Sequence, residues 1–314
     1  MTPNFSLAIP NLNGSQYLQK CLPSLLASIS KIKNSKFQII LIDNGSTDDS
    51  LDIFQELVQP TENLETKIIL HQENTGVAPA FAEGIEKSKY EWTVIVNNDI
   101  TLKPDWFPLI VKNMAQHPTA SVYCGTILNH DGSKFESQGL KFDYRGKCQN
   151  ISNNITFDRS SIQNLKPKII WGTSAAIAVY HRDTVLKIGN FDPDFFAYEE
   201  DVDLSLRLQK HHFKTLYIPK AISYHLGGAT SNKMGNFRQR MDVKNWIWLI
   251  AKNYSKKEFC QNFFSLTEER LRNLSGLIKA TPIGQLPGTF FSTYYQTFKL
   301  LPKMLRKRKT PKTC

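Results

Sequence analysis

Residues 37–46 read FQIILIDNGS, a mostly apolar run that ends in an aspartate and a polar turn. A run of this kind is typical of a strand that is buried on both faces of a parallel sheet. A helical pattern follows at once over 49–58, with Ser46 or Thr47 as the candidate N-cap. The stretch therefore predicts a strand–turn–helix unit whose polar turn lies beyond the carboxyl end of the strand.

The same alternation extends through the first half of the chain. The pattern predicts further strands over 5–10, 67–71, 92–97 and 121–127, and helices over 16–32, 78–87 and 106–117. Apolar strands separated by helices indicate an α/β fold, with a mostly parallel sheet covered on both faces. Ligands of such sheets bind beyond the carboxyl ends of the strands, so Asp43 and Asp99 are expected on one rim.

The second half is harder to assign. Residues 130–167 are polar and predict a hairpin and loops, and the pattern then gives strands over 169–180 and 215–218 and helices over 202–211, 236–253 and 256–278. Proline and glycine residues over 281–288 predict a linker. We therefore expect a catalytic domain over 1–235, a helical region with its linker over 236–288, and a basic-aromatic tail over 289–314.

Charge and cysteine content exclude some classes of protein. The net charge of +11 belongs to the C-terminus, because ten basic residues and no acidic residue follow position 269, and the rest is nearly neutral. A nucleic-acid-binding protein would carry basic and aromatic residues across its folded body, so no nucleic-acid partner is expected. The five cysteines are scattered, without a CxxC pair, which predicts a reducing compartment and no zinc site.

The chain carries no obvious membrane span or signal peptide. No apolar run approaches the ~20 residues that cross a bilayer, and no basic segment with an apolar stretch opens the sequence. We expect a cytoplasmic protein, with peripheral docking on the inner face of the cell membrane through the C-terminal tail.

That tail combines apolar bulk with positive charge. Its apolar residues recur at three- and four-residue steps, as on one helical face: Phe290, Phe291, Tyr294, Tyr295, Phe298, Leu301 and Leu305. The basic residues beside them are Lys299, Lys303, Arg306, Lys307, Arg308, Lys309 and Lys312. This pattern is typical of an anchor on an anionic membrane surface. The alternative is an aromatic helix packed on the catalytic domain and followed by a solvated tail, with Pro302 interrupting the helix.

Polar motifs follow the predicted strands in a fixed order. They are Pro10-Asn11-Leu12-Asn13, the run 42–48 (IDNGSTD), Asn74-Thr75-Gly76, Asn97-Asn98-Asp99, Trp171-Gly172-Thr173-Ser174, the run 189–193 (GNFDP) and the run 198–207 (YEEDVDLSLR). In this order, over roughly residues 5–250, they resemble the family-2 glycosyltransferases of the GT-A fold. The sequences of these motifs are most similar to those of the bacterial rhamnosyltransferase-type branch.

The resemblance implies a GT-A (Rossmann-like), mostly parallel sheet flanked by helices, with a helical C-terminal appendage. It implies an inverting transfer of a sugar from a nucleoside diphosphate, dTDP or UDP, to an acceptor hydroxyl in surface polysaccharide synthesis. The acceptor would be a saccharide or a lipid-linked saccharide. The chain has no QxxRW motif of the processive members, which favours single additions.

A divalent metal, Mn²⁺ or Mg²⁺, is the implied cofactor, because the charge of the departing diphosphate must be neutralised. The family ligates it with the last aspartate of a DxD motif, a role that falls to Asp99, although Asn97 replaces the first carboxylate. His225 lies where relatives place a histidine that completes the metal site. A neutral imidazole suits Mn²⁺ better than Mg²⁺.

The resemblance also assigns the donor site. Nucleotide binding falls to Pro10, Asn13, Asp43, Asn44, Asn74 and Gly76, and donor-sugar contacts fall to Asn98, Gly172 and Thr173. Asn44 can accept a hydrogen bond from a pyrimidine N3–H and donate one to a carbonyl, which suits uracil and thymine equally.

An inverting transfer needs a carboxylate that accepts the proton of the acceptor hydroxyl. By the family's pattern Asp201 is this base, and Glu200 beside it positions hydroxyl groups. Acidic residues also complement a helix dipole, by about 0.3–1 kcal/mol each. That effect explains one or two carboxylates better than the four at 199, 200, 201 and 203. Asp203 is expected to contact the backbone or Arg207 and to be structural.

Two alternative interpretations are a second enzyme class and a catalytically inactive relative. A sugar-nucleotide pyrophosphorylase would carry a glycine-rich loop with Arg and Lys after the first strand, which residues 10–14 lack. A catalytically inactive relative that only binds nucleotide sugars is suggested by Asn97 and Asn98. Donor hydrolysis in the presence of Mn²⁺ would separate it from an active enzyme.

Overall fold

The computed structural model describes residues 2–227 and 235–308, and its first half alternates strands and helices as predicted. The elements are β1 (Phe5–Asn11), α1 (Ser15–Ile29), β2 (Phe37–Asp43), α2 (Ser50–Leu57), β3 (Leu64–Leu70), α3 (Val77–Lys87), β4 (Trp92–Val96), β5 (Ile100–Leu102), α4 (Trp106–Gln116) and β6 (Ala120–Asn129).

The second half adds short strands and then helices. The elements are β7 (Phe135–Ser137), β8 (Leu140–Asp143), β9 (Lys147–Asn150), α5 (Ser160–Gln163), β10 (Lys168–Ile170), β11 (Ile177–His181), α6 (Arg182–Lys187), α7 (Glu200–Lys210), β12 (Lys214–His225), α8 (Phe237–Asn253), α9 (Lys256–Ala280) and α10 (Leu286–Arg308). Single 3₁₀ turns cover Pro193–Phe195 and Ile283–Gln285.

One large sheet has the strand order β10-β12-β6-β11-β4-β1-β2-β3, with β5 beside β12 and β7 beside β6. Strands β4, β1, β2 and β3 are parallel to one another, whereas β11 runs antiparallel between β4 and β6. The predicted α/β fold with a mostly parallel sheet is confirmed. Because Asn11 pairs with Asp43 at the ends of β1 and β2, the loops that follow these strands share one edge.

The core lies on both faces of this sheet. On one face Leu22, Phe54 and Phe107 of α1, α2 and α4 pack against the strands. On the other face Phe81, Val185 and Leu204 of α3, α6 and α7 do so. The strands read as continuous apolar runs because both of their faces are covered.

Two predicted strands differ from the structure. The strand predicted over 169–180 is two strands, β10 and β11, because residues 171–176 leave the sheet and the Gly172 carbonyl accepts from the Leu140 N–H instead. The strand predicted over 215–218 continues to His225. A bulge between Ile218 and Ile222 accommodates Pro219, which has no N–H to pair.

The C-terminal helices need two corrections. The predicted linker over 281–288 is a 3₁₀ turn that leads into α10, whose first turn accepts Pro287 because the first N–H groups of a helix need no partner. The helix also continues through Pro302, which is exposed, so water can bond the carbonyl left without a helical partner. Lys309 and Lys312 of the predicted basic tail lie outside the described residues. The predicted domain boundaries at 235 and 288 stay a prediction.

Helix α10 packs along α8. Met304 and Thr297 are fully buried, and the indole N–H of Trp248 on α8 donates to the Thr297 carbonyl. This packing matches the alternative reading of the tail as an aromatic helix held on the body, while part of its apolar surface stays exposed. Within residues 2–227 and 235–308, none of the helices has the length and hydropathy needed to cross a bilayer.

Candidate active site

A cavity of about 630 Å³ opens at the edge of the sheet where β1, β2 and β4 end. It brings together most of the predicted site residues, namely Pro10, Asn44, Asn74, Asn98, Asp99, Glu200, Asp201 and His225. The remaining predicted residues (Asn13, Asp43, Gly76, Gly172 and Thr173) support this lining from neighbouring positions, as their contacts below show.

The predicted metal residues lie side by side. Strand β12 pairs with β5 so that His225 is opposite Ile100, the residue after Asp99. The Nε2 atom of His225 is 3.1 Å from an Asp99 carboxylate oxygen, and both side chains are largely buried. The other ring nitrogen, Nδ1, is 2.6 Å from an oxygen of Glu136 on β7. Glu136 belongs to no motif and lies in the polar region over 130–167, so the sequence does not predict its place in the site.

The two carboxylates govern the charge of His225. Burial alone would lower its pKa, but the hydrogen bonds and negative charges of Asp99 and Glu136 outweigh burial and raise the pKa to about 10. The imidazole is therefore a cation held between two anions in this arrangement. A divalent cation could take the place of the Nε2 proton beside Asp99.

The side chains around Asp99 and His225 supply only part of the ligand set that a divalent cation needs. A ligating histidine commonly donates its second N–H to a carboxylate, as His225 can to Glu136. The buried Oδ1 of Asn97, which has no hydrogen-bond partner, adds an oxygen at the cavity. Even so, the described ranges 2–227 and 235–308 contain no group of three or more His, Cys, Asp or Glu side chains able to hold a metal alone. A cation here would need oxygens from a ligand such as a diphosphate.

Asp43 and Asn13 hold two loops together. The buried Asp43 carboxylate accepts hydrogen bonds from the Asn11 side chain at 3.0 Å and from the Ser46 backbone N–H at 2.8 Å. The Oδ1 atom of Asn13 accepts from the Thr47 N–H at 2.8 Å. These contacts join the loop after β1 to the loop after β2, so both residues shape the rim on which Pro10 and Asn44 lie.

Asn44 and Asn74 shape the next loop. Asn44 donates to the Gly76 carbonyl at 3.2 Å and accepts from the Thr75 hydroxyl at 3.0 Å, while Asn74 accepts from the Gly76 N–H at 2.9 Å. Gly76 has a φ of +99°, and a Cβ there would lie 2.4 Å from the Phe196 carbonyl oxygen. Only glycine lets this loop approach the segment that carries the acidic residues.

The predicted donor-sugar residues divide into two groups. Asn98 lines the cavity and donates to the Asn11 side chain at 2.7 Å. Gly172 and Thr173 pack below the lining, since a Cβ on Gly172 would lie 2.5 Å from the Ser205 hydroxyl oxygen and Thr173 is buried. Their neighbours Ser174 and Ala175, to which the resemblance assigns no role, line the cavity.

The segment before the acidic pair has an unusual backbone. The backbone φ angles of Phe196, Tyr198 and Glu199 are all near +65°, which is unfavourable for residues other than glycine. The side-chain nitrogen of Asn245 on α8 lies 3.1, 2.7 and 2.7 Å from the carbonyl oxygens of Phe195, Ala197 and Tyr198. Asn245 therefore holds this segment in place, a role for which its helical sequence context carries no signal.

Asp201 and Glu200 differ in their hydrogen bonds. Asp201 accepts from the Val202 N–H at 2.8 Å and the Ala175 N–H at 3.3 Å, whereas one buried oxygen of Glu200 has no partner. Burial raises the pKa of both carboxyls, and the neighbouring Asp201 charge helps to raise that of Glu200 to about 8. The two backbone donors oppose this rise at Asp201, so negative charge on the pair is favoured there.

Asp203 has the structural role expected for it. Its buried carboxylate accepts from Arg207 at 2.6 Å, from Lys252 at 2.8 Å and from Asn253 at 2.8 Å. Burial favours its neutral form, but the Arg207 and Lys252 charges outweigh burial and hold the pKa of Asp203 well below its usual range. The predicted contact with Arg207 is confirmed, and Asp203 also ties α7 to α8.

Comparison with protein families and curated sequences gives consistent matches. Residues 6–189 match the model of the family described as "Glycosyl transferase family 2". A Bacillus subtilis (strain 168) protein described as "Putative glycosyltransferase EpsH" is 23% identical over 316 residues, with 90% of this chain and 85% of the relative covered. The poly-beta-1,6-N-acetyl-D-glucosamine synthase of Staphylococcus aureus is 22% identical over 241 residues, covering 74% of this chain and 54% of the synthase.

Solved structures match over nearly the whole chain. GalNAc-T7 with UDP, GalNAc and Mn²⁺ has a TM-score of 0.61 at 15% identity, covering 96% of this chain and 56% of that chain. S. aureus TarS 1-349 in complex with UDP-GlcNAc has a TM-score of 0.59 at 14% identity, covering 97% and 83%. The chain thus spans little more than half the length of two of these four proteins. At such identities the solved structures establish a shared fold.

Proposed function

The chain belongs to glycosyl transferase family 2, and on that premise we propose that it transfers one sugar at a time, with inversion, from a UDP- or dTDP-sugar to an acceptor hydroxyl. The observation that carries the proposal is a single cavity lined both by the Asp99–His225 pair and by the Glu200–Asp201 pair. A group that neutralises a leaving diphosphate and a group that accepts a proton are the two requirements of this reaction.

The rim formed by Pro10, Asn44 and Asn74 would take the nucleoside. After its loop contacts, Asn44 retains one N–H and one acceptor lone pair, which can pair with the N3–H and a carbonyl of uracil or thymine. Asp43, Asn13 and Gly76 would support the nucleotide through these loops. The similar structures that contain UDP and UDP-GlcNAc support a pyrimidine donor.

Asp99 and His225 would hold a divalent cation, Mn²⁺ or Mg²⁺, with Glu136 orienting the imidazole. When bound, the cation would neutralise charge on the departing diphosphate. Asn97 supplies a neutral oxygen where the family's motif has a carboxylate, so metal affinity should depend strongly on the donor phosphates. The Mn²⁺ present in similar structures supports this cofactor.

Asp201 would accept the proton of the attacking hydroxyl, because the pair's negative charge is favoured on it. Glu200, protonated near neutral pH, would donate a hydrogen bond to a sugar or acceptor hydroxyl. Asn98 would contact the donor sugar directly. Gly172 and Thr173 would act through Ser174 and Ala175, which they support beside the cavity.

We further place the reaction in surface polysaccharide synthesis, on a saccharide or lipid-linked saccharide acceptor at the cytoplasmic face of the membrane. Support comes from the polysaccharide synthase among the relatives and from the exposed apolar surface of the C-terminal helices. Because the motif sequences resemble the rhamnosyltransferase-type branch, a rhamnosyl donor is the first to test, ahead of galactosyl and glucosyl donors.

The test is a panel of nucleotide sugars read out by thermal stabilisation with Mn²⁺. A ligand at about 100 times its Kd stabilises the folded state by ~2.7 kcal/mol, so the true donor should raise Tm clearly. The rise should disappear with EDTA and in Asp99→Ala. If no UDP- or dTDP-sugar raises Tm, the proposal is wrong. Stabilisation without any donor hydrolysis or transfer would favour a catalytically inactive nucleotide-sugar-binding protein.

A further inference from the structure

Helices α9 and α10 present apolar side chains that the catalytic domain does not cover. The exposed fractions of Phe264 and Phe291 are 85% and 75%. Together with Leu271, Ile278, Tyr295 and Phe298, also exposed, they form what we term the aromatic face. A group of exposed apolar side chains as large as this one, in contact with water, marks a binding surface.

The aromatic face follows the geometry of α10. Successive helical residues are turned by about 100°, so Phe291, Tyr295 and Phe298 form one stripe. Turning around the helix in one direction, four zones follow in order: the buried Thr293, Thr297 and Met304; Leu301 and Leu305; the stripe; and the exposed Lys299 and Arg306. The stripe therefore lies between the packed side of the helix and a basic edge.

Helix α9 has the same order of zones. Its buried Leu266 and Leu277 come first, then Phe259 and Phe263, and then the exposed stripe Phe264, Leu271 and Ile278. The connection over 281–285 is short, and Phe259 and Phe263 near the start of α9 share a groove with residues near the end of α10, so the two helices run in opposite directions. In each helix the stripe lies in the same rotational direction from the residues that face the shared groove. Because the two helices are antiparallel, both stripes lie on the same side of the pair.

That groove opens between the two stripes. It has a volume of about 440 Å³, with Ile250 and Ala251 of α8 as its floor and Phe263, Leu266, Leu301 and Leu305 on its walls. The lining is mostly hydrocarbon, with Arg270, Arg308 and Thr267 as its polar members, so water gains few hydrogen bonds over most of the groove. An elongated apolar group is the occupant for which such a groove is suited.

The charge beside the aromatic face selects its partner. No acidic residue follows position 269, and Glu268 and Glu269, beside the stripe of α9, pair with Arg272. The exposed Lys299 and Arg306 have no carboxylate within ion-pair distance in the described ranges 2–227 and 235–308. Lys303 and Lys307 differ, since they bind Asp194 and anchor α10 to the body. A second copy of the chain would bring like charges together, whereas an anionic surface would complement them.

We propose that the aromatic face docks on an anionic lipid bilayer, with the groove between α9 and α10 receiving a hydrocarbon chain of a membrane lipid. The proposal deepens the membrane location given under the proposed function and rests on it. Aromatic side chains would enter the interface between headgroups and acyl chains, and Lys299 and Arg306 would contact lipid phosphates.

The test is flotation of the full chain with phosphatidylcholine vesicles, with and without phosphatidylglycerol, at low salt. The protein should float with the anionic vesicles and remain unbound with phosphatidylcholine alone. The pair Phe291→Ser and Phe298→Ser should weaken binding about tenfold or more, because it removes two inserted rings. The pair Lys299→Gln and Arg306→Gln should weaken it by a similar factor and reduce its salt dependence.

A matched control uses exposed apolar residues of the catalytic domain. Leu70 and Ile155 are 64% and 57% exposed, so Leu70→Ser with Ile155→Ser removes comparable surface elsewhere. This pair should float like the unmodified protein. The groove is tested at Thr267, which lines it and is exposed: Thr267→Glu should weaken binding more than Thr267→Gln, which has the same shape without the charge.

The outcomes that overturn the proposal are distinct. Absence of flotation, equal loss in the control pair, or flotation unchanged in the phenylalanine pair would each contradict the docking surface. Equal effects of the two Thr267 variants would remove the groove from it. Concentration-dependent dimerisation that the phenylalanine pair abolishes, without vesicle binding, would assign the face to self-association. Nucleotide-sugar stabilisation measured on the same variants should not change, so failure of the catalytic proposal remains separately visible.

Discussion

Asp201 and Glu200 are adjacent in sequence, yet their surroundings stabilise the charged form of a carboxyl to different degrees. Two backbone N–H groups point at Asp201, while a buried oxygen of Glu200 has no partner. Hydrogen-bond donors stabilise a carboxylate, and desolvation without donors destabilises it. The same contrast between two neighbouring carboxyls separates acid from base in other enzymes. It therefore supports Asp201 as the base on grounds independent of family resemblance.

The first prediction compares isosteric amides at these two positions. Asp201→Asn should lower transfer by about 10²–10⁴-fold while leaving donor affinity nearly unchanged, because a general base is lost. Glu200→Gln should lower it less, because Gln resembles the protonated Glu200 that predominates below its pKa of about 8. Turnover and donor Kd are measured for both variants at neutral pH. More than about a tenth of normal turnover in Asp201→Asn would contradict the assignment.

The second prediction concerns Glu136, which orients His225. Glu136→Gln should weaken Mn²⁺ affinity in the presence of nucleotide by about 10–100-fold, the usual effect of losing the carboxylate behind a ligating histidine. The measurement is calorimetric titration of Mn²⁺. Glu91, whose carboxylate lies 3.0 Å from His181, provides a matched control, and Glu91→Gln should leave the affinity unchanged. Equal affinities for all three proteins would exclude Glu136 from the metal site.

At the scale of residues, motif order and family resemblance brought most of the predicted site residues to one cavity. Asp99, Glu200 and Asp201 stand in recognisable runs, and the resemblance added His225. Glu136 and Asn245 could not be found this way. Their positions depend on strand β7 lying near β12 and on α8 packing against the acidic segment, and neither contact is encoded in a local pattern.

Among the elements, the segment over 195–201 and helix α8 form one functional unit. Positive φ values at three non-glycine residues would each cost about 1–3 kcal/mol, so the segment needs external support. Asn245 supplies it through three carbonyl oxygens. Since α8 follows the family-matched residues 6–189, the catalytic geometry depends on a helix outside that match.

The third prediction is that Asn245→Asp lowers turnover more than donor affinity. The aspartate keeps the size of the side chain but loses the N–H donors and adds a charge facing three carbonyl oxygens, which should destabilise the local structure by ~1–3 kcal/mol. Steady-state kinetics and Tm are measured together. Asn262 on α9 bonds only the Glu258 carbonyl within its own helix, so Asn262→Asp is the control. Unchanged turnover in Asn245→Asp would show that the segment over 195–201 keeps its conformation without the hydrogen bonds of Asn245.

Element boundaries were predictable wherever one pattern continued without interruption. The apolar run of β2 and the helical pattern of α8 appear in the structure with nearly the predicted limits. Two elements continue through a proline: the predicted strand over 215–218 ends before Pro219, and Pro302 interrupts the helix only in the alternative interpretation of the tail. In β12 a bulge accommodates the ring, and in α10 the ring faces solvent, so neither proline ends its element.

For the whole molecule, buried ion pairs join the catalytic domain to the C-terminal helices. Lys252 of α8 contacts both Asp192 and Asp203, and Lys307 of α10 contacts Asp192 and Asp194. Met304 is buried against the same body. Removing α10 would uncover these groups, so point changes on its exposed side test membrane docking better than a shortened chain.

The fourth prediction follows from the depressed pKa of Asp203. The unfolded state binds more protons than the native state below about pH 4, so this carboxylate stabilises the fold above its unfolded pKa of 3.8 and that contribution is lost as pH falls. Asp203→Asn should destabilise the protein by ~3–5 kcal/mol at neutral pH, since Lys252 and Arg207 lose their buried partner. The difference in unfolding free energy should shrink towards pH 3, as urea titrations can measure. A difference independent of pH would contradict the ion cluster.

The configuration of the first free sugar tests most directly the proposal that this chain is an inverting glycosyltransferase with Asp201 as its base. With water as acceptor and Mn²⁺ present, proton NMR follows hydrolysis of the donor that stabilises the protein. We expect the first sugar released to have the anomeric configuration opposite to that of the donor, and Asp201→Asn to release it about 10²-fold or more slowly. Release with retained configuration, or equal rates for Asp201→Asn and the unmodified protein, would contradict the account.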